Sequence, residues 1–146
     1  MYRLRESTVE VLLVHPGGPL WAKKDAGAWT IPKGEYEDHE DPLAAAKREF
    51  EEETGMRPEP EFLPLGEVRQ AGGKIVQAWA FQGDCEVSTI RSNTFTIEWP
   101  PRSGRQRKFP EIDRAEWFDL IQASSKLIPA QTAFLERLAA ALAFNA

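Results

Sequence analysis

Residues 8–15 read TVEVLLVH, a run of β-branched and aliphatic side chains that stops at Pro16-Gly17-Gly18-Pro19. That pattern predicts a strand entering a turn. Residues 27–31 form a second, shorter apolar run closed by Pro32, read as a short strand. Further strands are expected over 61–70, 74–83 and 93–99, where Phe95, Ile97 and Trp99 alternate with Thr94, Thr96 and Glu98. Residues 100–110, PPRSGRQRKFP, have turn chemistry and no period and are read as a loop, followed by a last short strand over 115–119.

The period switches to helical in two places. Asp41-Pro42 is a helix start, with Asp41 as N-cap and Pro42 at the first helical position, and Gly55 is the matching stop. Between them Leu43, Ala46 and Phe50, three and four apart, make a narrow apolar stripe. Pro129 opens a closing helix with Phe134, Leu135, Leu138 and Leu142 on one face. Strands interrupted by one central and one terminal helix predict an α/β domain. There is no internal repeat.

Size and charge narrow the function. With 146 residues, 42% of them hydrophobic, the chain is expected to form one domain over 1–146. A net charge of −5 argues against a nonspecific nucleic-acid binder, so a nucleic-acid polymer is not an expected partner. The single cysteine, Cys85, fits a reducing compartment. Glu6 and Glu10 interrupt the N-terminal apolar run, no cleavage site follows, and no apolar stretch approaches the roughly 18–20 residues that span a bilayer. A soluble cytoplasmic protein with no membrane partner, monomeric or homodimeric, is the expectation.

The helix over 42–54 carries an electrostatic problem. At about 100° per residue, Glu49, Glu52 and Glu53 share one arc beside the apolar stripe, while Glu51 points elsewhere. Like charges at such spacings cost about 0.2–0.5 kcal/mol per pair, and acids in the last turn oppose the helix dipole. A solvated acidic face is the ordinary reading. A hard divalent cation, Mg²⁺ or Mn²⁺, is the alternative that compensates the repulsion directly.

The surroundings favour the cation. Gly34, Glu40, Arg48, Glu49, Glu52, Glu53 and Gly55, with Phe50 and Met56 at apolar positions, reproduce G-x₅-E-x₇-R-E-U-x-E-E-x-G-U, U being a bulky apolar residue. From ordinary residue frequencies the seven fixed residues coincide by chance about once in ten million starts. This is the Nudix box, and the sequence resembles the Nudix hydrolases over residues 34–56, more loosely elsewhere. The resemblance implies an α/β/α sandwich with a mixed sheet, and divalent-metal-dependent hydrolysis of a pyrophosphate bond in a nucleoside di- or polyphosphate linked to another group. It further implies that Glu49, Glu52 and Glu53 bind metal with the backbone carbonyl of Lys33, that Glu40 holds Arg48 so that Arg48 orients Glu49, and that Gly34 belongs to the loop wrapping the pyrophosphate. In Nudix enzymes the proton of the attacking water goes to the first glutamate, here Glu49, or to an acid in a later loop, where Glu111 and Asp113 stand; Glu111 is preferred.

Substrate signals are weaker. Arg102, Arg105, Arg107 and Lys108 lie in one stretch without an acid, suited to a polyphosphate tail, with Arg105 and Arg107 as candidate contacts; a loop kept soluble by charge is the plain reading. Lys23, Lys24 and Lys33 extend the same positive rim. Trp21, Trp29, Trp79 and Trp99 are candidates for base stacking, with core packing the stronger expectation. His15 and His39 lack metal-like spacing and read as structural or exposed. The phrasing of the box points to a small-molecule nucleotide substrate, a dinucleoside polyphosphate or a nucleoside triphosphate. The proline and tyrosine that mark some branches of the family are missing from residues 70–75. The rival reading is a Nudix fold that binds or senses a nucleotide without turnover. At the N-terminus only MYRL precedes REST, so the opening strand is expected to be shortened or to begin upstream.

Overall fold

The computed structural model describes residues 1–33 and 39–144. In chain order the elements are β1 (Tyr2–Arg5), β2 (Thr8–Pro16), α1 (Pro42–Thr54), β3 (Leu63–Arg69), β4 (Ile75–Ala80), β5 (Thr94–Glu98), β6 (Gln106–Pro110), β7 (Ile112–Asp119), α2 (Leu120–Lys126) and α3 (Thr132–Phe144). The ladders β1-β2-β7, β3-β4 and β5-β6 are antiparallel, and a parallel bridge from Tyr2 to Gln82 links the first to the end of β4.

β2 explains the layering. Successive strand side chains point to opposite faces, so Val11 and Leu13 enter one core and Leu12 another. Paired Phe118 and Trp117 of β7 divide in the same way. The first core is closed by α2 and α3 through Ala123, Leu127, Phe134, Leu135 and Leu138. The second is closed by Phe50 of α1, which meets Phe81 edge-on at 5.1 Å. Helices on both faces of strands make an α/β/α sandwich.

The opening strand β1 is four residues long, Tyr2–Arg5, and joins β2 through Glu6 and Ser7, whose φ values of 52° and 68° suit a tight hairpin turn. Several other elements differ from the sequence reading. The 27–31 strand reduces to isolated bridges at Trp29 and Thr30. Residues 106–110, expected as loop, form β6: its side chains are exposed apart from half-buried Phe109, so no burial period marks a strand that pairing alone creates. Helix α2 was missed because seven residues are too few to show a period; Asp119 caps it by accepting from Gln122 N–H at 2.8 Å. Pro129 starts a 3₁₀ turn, and α3 begins at Thr132.

Helix α1 has the expected ends. The Asp41 carboxylate accepts from Ala44 N–H at 3.0 Å, and Gly55, at φ 78°, donates to Glu51 O at 2.7 Å. The buried stripe runs through Ala45, Phe50 and Thr54, with Leu43 and Ala46 only half-buried, so the helix is rotated slightly from the expected stripe. Asp41→Ala is expected to lower stability by about 1 kcal/mol, read as a reduced urea midpoint.

Candidate active site

A strap over residues 29–33 delivers Lys33 to α1. Thr30 exchanges backbone bonds of 2.9 and 3.0 Å with Val14, and Ile31 N–H donates to Gln131 Oε1 at 3.0 Å. Gln131 is fully buried and donates through Nε2 to Gln70 Oε1 at 2.7 Å. At the end of this strap, Lys33 N–H donates to Glu53 Oε2 at 2.8 Å. Gln131 carried no signal in the sequence, where it is one polar residue after a proline; only its burial shows that it fastens the site.

The three helix acids sit in different surroundings. Glu49 and Glu53 are half-buried on the core-facing edge of α1, whereas Glu52 is exposed. Burial pushes the Glu53 carboxyl up to about 8, against the Lys33 N–H that favours its charge; repulsion from Glu49 and Glu111 adds to the rise. Burial also raises Glu49, opposed by neighbouring Arg48 and reinforced by Glu52.

Arg48 stands between acids. Its Nη2 donates to both Glu40 oxygens at 2.9 and 3.0 Å, while Nη1 donates to Glu49 at 3.1 Å and Glu52 at 3.2 Å. The Glu40 and Glu52 contacts hold the guanidinium above its ordinary value. In this arrangement, among the described residues, no three acids, histidines or cysteines are gathered to hold one ion. Arg48 neutralises Glu49 and Glu52, and a proton on Glu53 removes the third charge. To hold a dication, Glu49 and Glu52 must turn from Nη1 and Glu53 must lose its proton, with Glu40 still anchoring the guanidinium. The donors so released, together with the Lys33 carbonyl, are all oxygen, the set a hard dication prefers.

The two loop acids part company. Glu111 follows β6, with its N–H donating to Asn93 O and its carbonyl accepting from Gly17 N–H, both at 2.8 Å. Its charge adds to the rise of the Glu53 carboxyl. Asp113 instead bonds His15 Nδ1 at 2.7 Å, while His15 Nε2 bonds Lys24 O at 2.6 Å. His15 is wholly buried, as the structural reading expected, and meets Trp29 edge-on at 5.2 Å. Gly34 lies outside the described residues. Arg105 and Arg107 are carried on the β5–β6 hairpin, Arg107 lying 5.4 Å over the Phe109 ring. Of the stacking candidates, Trp29 is core, while Trp21, Trp79 and Trp99 are half-exposed.

Beside the acids an apolar cavity of about 140 Å³ opens between α1 and the β3-β4 ladder. Leu12, Leu43, Phe50, Val76 and Phe81 line it, and Glu49 and Lys33 contribute to its wall.

The layered fold and the acid-bearing helix α1 define an α/β/α domain of the Nudix type. The chain belongs to the NUDIX domain family, which matches residues 1–138. Nudix hydrolases act on pyrophosphate bonds and generally use divalent metals. It is 34% identical to an RNA pyrophosphohydrolase of Bartonella henselae over 63% of this chain and 57% of that protein. With an RNA pyrophosphohydrolase of Rhizobium meliloti it shares 30% identity over 77% and 71% of the two chains. The chain thus spans little more than half of the Bartonella protein. Its fold is similar to that of a C. elegans Ap4A hydrolase, with a TM-score of 0.62 at 22% identity, covering 98% of this chain and 93% of that one. Among the described residues no helix is long and apolar enough to cross a membrane.

Proposed function

We propose that residues 1–146 act as one domain that hydrolyses a phosphoanhydride of a nucleoside polyphosphate, with Mg²⁺ or Mn²⁺ held by Glu49, Glu52, Glu53 and the Lys33 carbonyl. The observation that carries this reading is the pair of half-buried carboxylates on one edge of α1, Glu49 at the wall of an apolar cavity and Glu53 accepting the Lys33 N–H. A core-facing helix edge gains nothing from such acids unless a cation meets them. Bound there, the dication offsets the charge that develops on phosphate oxygens as the P–O bond breaks.

The chain's own residues have separable roles. Arg48, anchored by Glu40, sets the position of Glu49. Glu111, whose charge is felt at Glu53, accepts the proton of the attacking water, whose oxygen forms the new P–O bond while the bridging P–O bond breaks. Asp113 is committed to His15 and is the poorer base. The apolar cavity receives a nucleobase. A dinucleoside polyphosphate or a nucleoside triphosphate satisfies these contacts. A second reading, the 5′-polyphosphate end of an RNA, draws support from the names of the Bartonella and Rhizobium relatives and from the cationic β5–β6 hairpin.

The test is a panel of dinucleoside polyphosphates, nucleoside triphosphates and 5′-triphosphorylated RNA with Mg²⁺ in ¹⁸O-labelled water, products read by mass spectrometry. Label is expected in one phosphate product, identifying the attacked phosphorus. Glu111→Gln is expected to lower kcat by about 10²–10⁴-fold with KM little changed. Nucleotide binding with metal but no labelled product from any substrate would replace catalysis with the sensor reading.

A further inference from the structure

The β5–β6 hairpin reverses the charge of the protein. Residues 94–110 carry Arg102, Arg105, Arg107 and Lys108 against the single acid Glu98, a net +3, whereas the whole chain carries −5. Glu98 pairs across from Gln106 and accepts the Arg102 backbone N–H at 2.5 Å. All four cations are exposed.

The arm also carries aromatic surface. Phe95 pairs with Phe109 and Ile97 with Arg107, so these four share one face. The two phenyl rings lie 6.1 Å apart and are half-exposed, with the Arg107 guanidinium over Phe109. At its root the arm touches the 16–19 turn: a Cβ on Gly17 would fall 2.0 Å from Pro110 O, and one on Gly18 2.7 Å from the Phe95 ring. Beyond that turn stand exposed Leu20 and half-exposed Trp21, with Lys24 Nζ 4.9 Å over the indole.

Distance decides what the arm is for. At about 3.3 Å per residue, Lys108 and Arg107 lie roughly 10 and 13 Å along the strand from Glu111, and the tip is farther still. Phosphates engaged by the helix acids of a mononucleotide stop short of that. Phosphates of a chain continuing from the nucleotide do not, since stacked nucleotides repeat every 3.4 Å or so along a strand. Alternating cations and flat apolar rings are what a single strand needs, charge for its backbone and faces for its bases.

Resting on the proposed phosphoanhydride hydrolysis, we infer that the β5–β6 hairpin is a docking arm for a single-stranded oligonucleotide whose 5′-polyphosphate occupies the carboxylate site. The acidic remainder of the protein repels nucleic acid elsewhere, so a strand is held where the arm leads it, at its end. This reconciles a local nucleic-acid surface with an overall charge that excludes nonspecific binding.

The test uses 5′-triphosphorylated oligoribonucleotides of one, two, four and eight nucleotides, labelled at the 3′ end. Binding is read by fluorescence anisotropy, which needs no turnover, and hydrolysis is read separately. Affinity is expected to rise at least tenfold from one to four nucleotides and then level off. In Arg105→Gln/Arg107→Gln the rise should flatten, and the slope of log affinity against log salt should fall by about 1.4, two single-strand phosphate contacts. Thermal unfolding checks that the double variant is folded; Phe109→Leu, which keeps an apolar side chain without the ring face, should also flatten the rise. Affinity independent of length in the natural protein, or a length dependence retained by the folded variants, overturns the arm. Absence of hydrolysis of every nucleotide would instead strike the proposed reaction, leaving the binding result to stand by itself.

Discussion

Glu53→Gln is expected to lower turnover by about a thousandfold, some 4 kcal/mol of barrier, while making the metal-free protein more stable in alkali. The two effects have one cause. In the folded chain without metal the Glu53 carboxyl is raised to about 8, first by burial, whereas in the unfolded chain it titrates near the ordinary glutamate value of about 4.3. Between these limits the folded state keeps a proton that the unfolded state has lost. Stability from this group is therefore full below the unfolded value and is lost as pH rises through the folded one. Glutamine keeps an oxygen for the Lys33 N–H and carries no charge to bury. In chelator, denaturation midpoints of the two proteins should converge in acid, separate as pH rises from about 4 to about 8, and stay apart above that with the variant ahead. Added Mg²⁺ should reverse the order, because only a site with its full ligand set gains stability from the ion. Metal uptake between pH 5 and 8 should release protons, as ligand carboxyls must ionise to bind. A variant no more stable than the natural protein at pH 9 in chelator would show that Glu53 is solvated, and the desolvated-carboxylate argument would fail with it.

The same residue marks how far the sequence could be read. Helix α1, with Asp41 and Gly55 at its ends, and the clustering of Glu49, Glu52 and Glu53 on one arc followed from spacing, because local hydrogen bonds and a 3.6-residue period are properties of adjacent residues. The unequal burial of those acids did not follow. It depends on the strap over residues 29–33 and on Gln131, 77 or more positions from α1 in the chain and brought in only by α2 and α3. Strand β6 escaped for a related reason: most of its side chains face solvent, and what makes it a strand is pairing with β5. The separation of Glu111 from Asp113 rests on His15, about a hundred residues earlier, whose burial turns Asp113 aside. Contacts of long sequence separation are set by topology, and composition or period carries no trace of them.

Trp29→Ala tests that topology at its most crowded point and is expected to cost about 3–5 kcal/mol, a large part of the roughly 5–15 kcal/mol that holds a domain of this kind. The indole is fully buried, edge-on to Phe118 at 5.1 Å and to His15 at 5.2 Å, and its Nε1–H donates to Asp25 Oδ1 at 2.8 Å. Arg114 approaches its face at 5.1 Å. Its backbone accepts from Ile128 N–H at 2.8 Å and donates to Lys126 O at 3.0 Å, so the residue joins the strap to the end of α2. Truncation leaves a cavity there and removes the hydrogen bond to Asp25. The urea midpoint should fall with the slope unchanged, since the surface exposed on unfolding is nearly the same. Trp29→Phe, which keeps the ring but drops the N–H, should lose less. Because the strap ends at Lys33, the folded fraction of Trp29→Ala should also bind Mg²⁺ more weakly than the natural protein, an effect that Asp41→Ala, acting on the helix cap alone, should not share. A loss below about 1 kcal/mol with metal affinity intact would mean that the indole is free to meet a nucleobase at the surface, and the packing that places Lys33 against Glu53 would need another support.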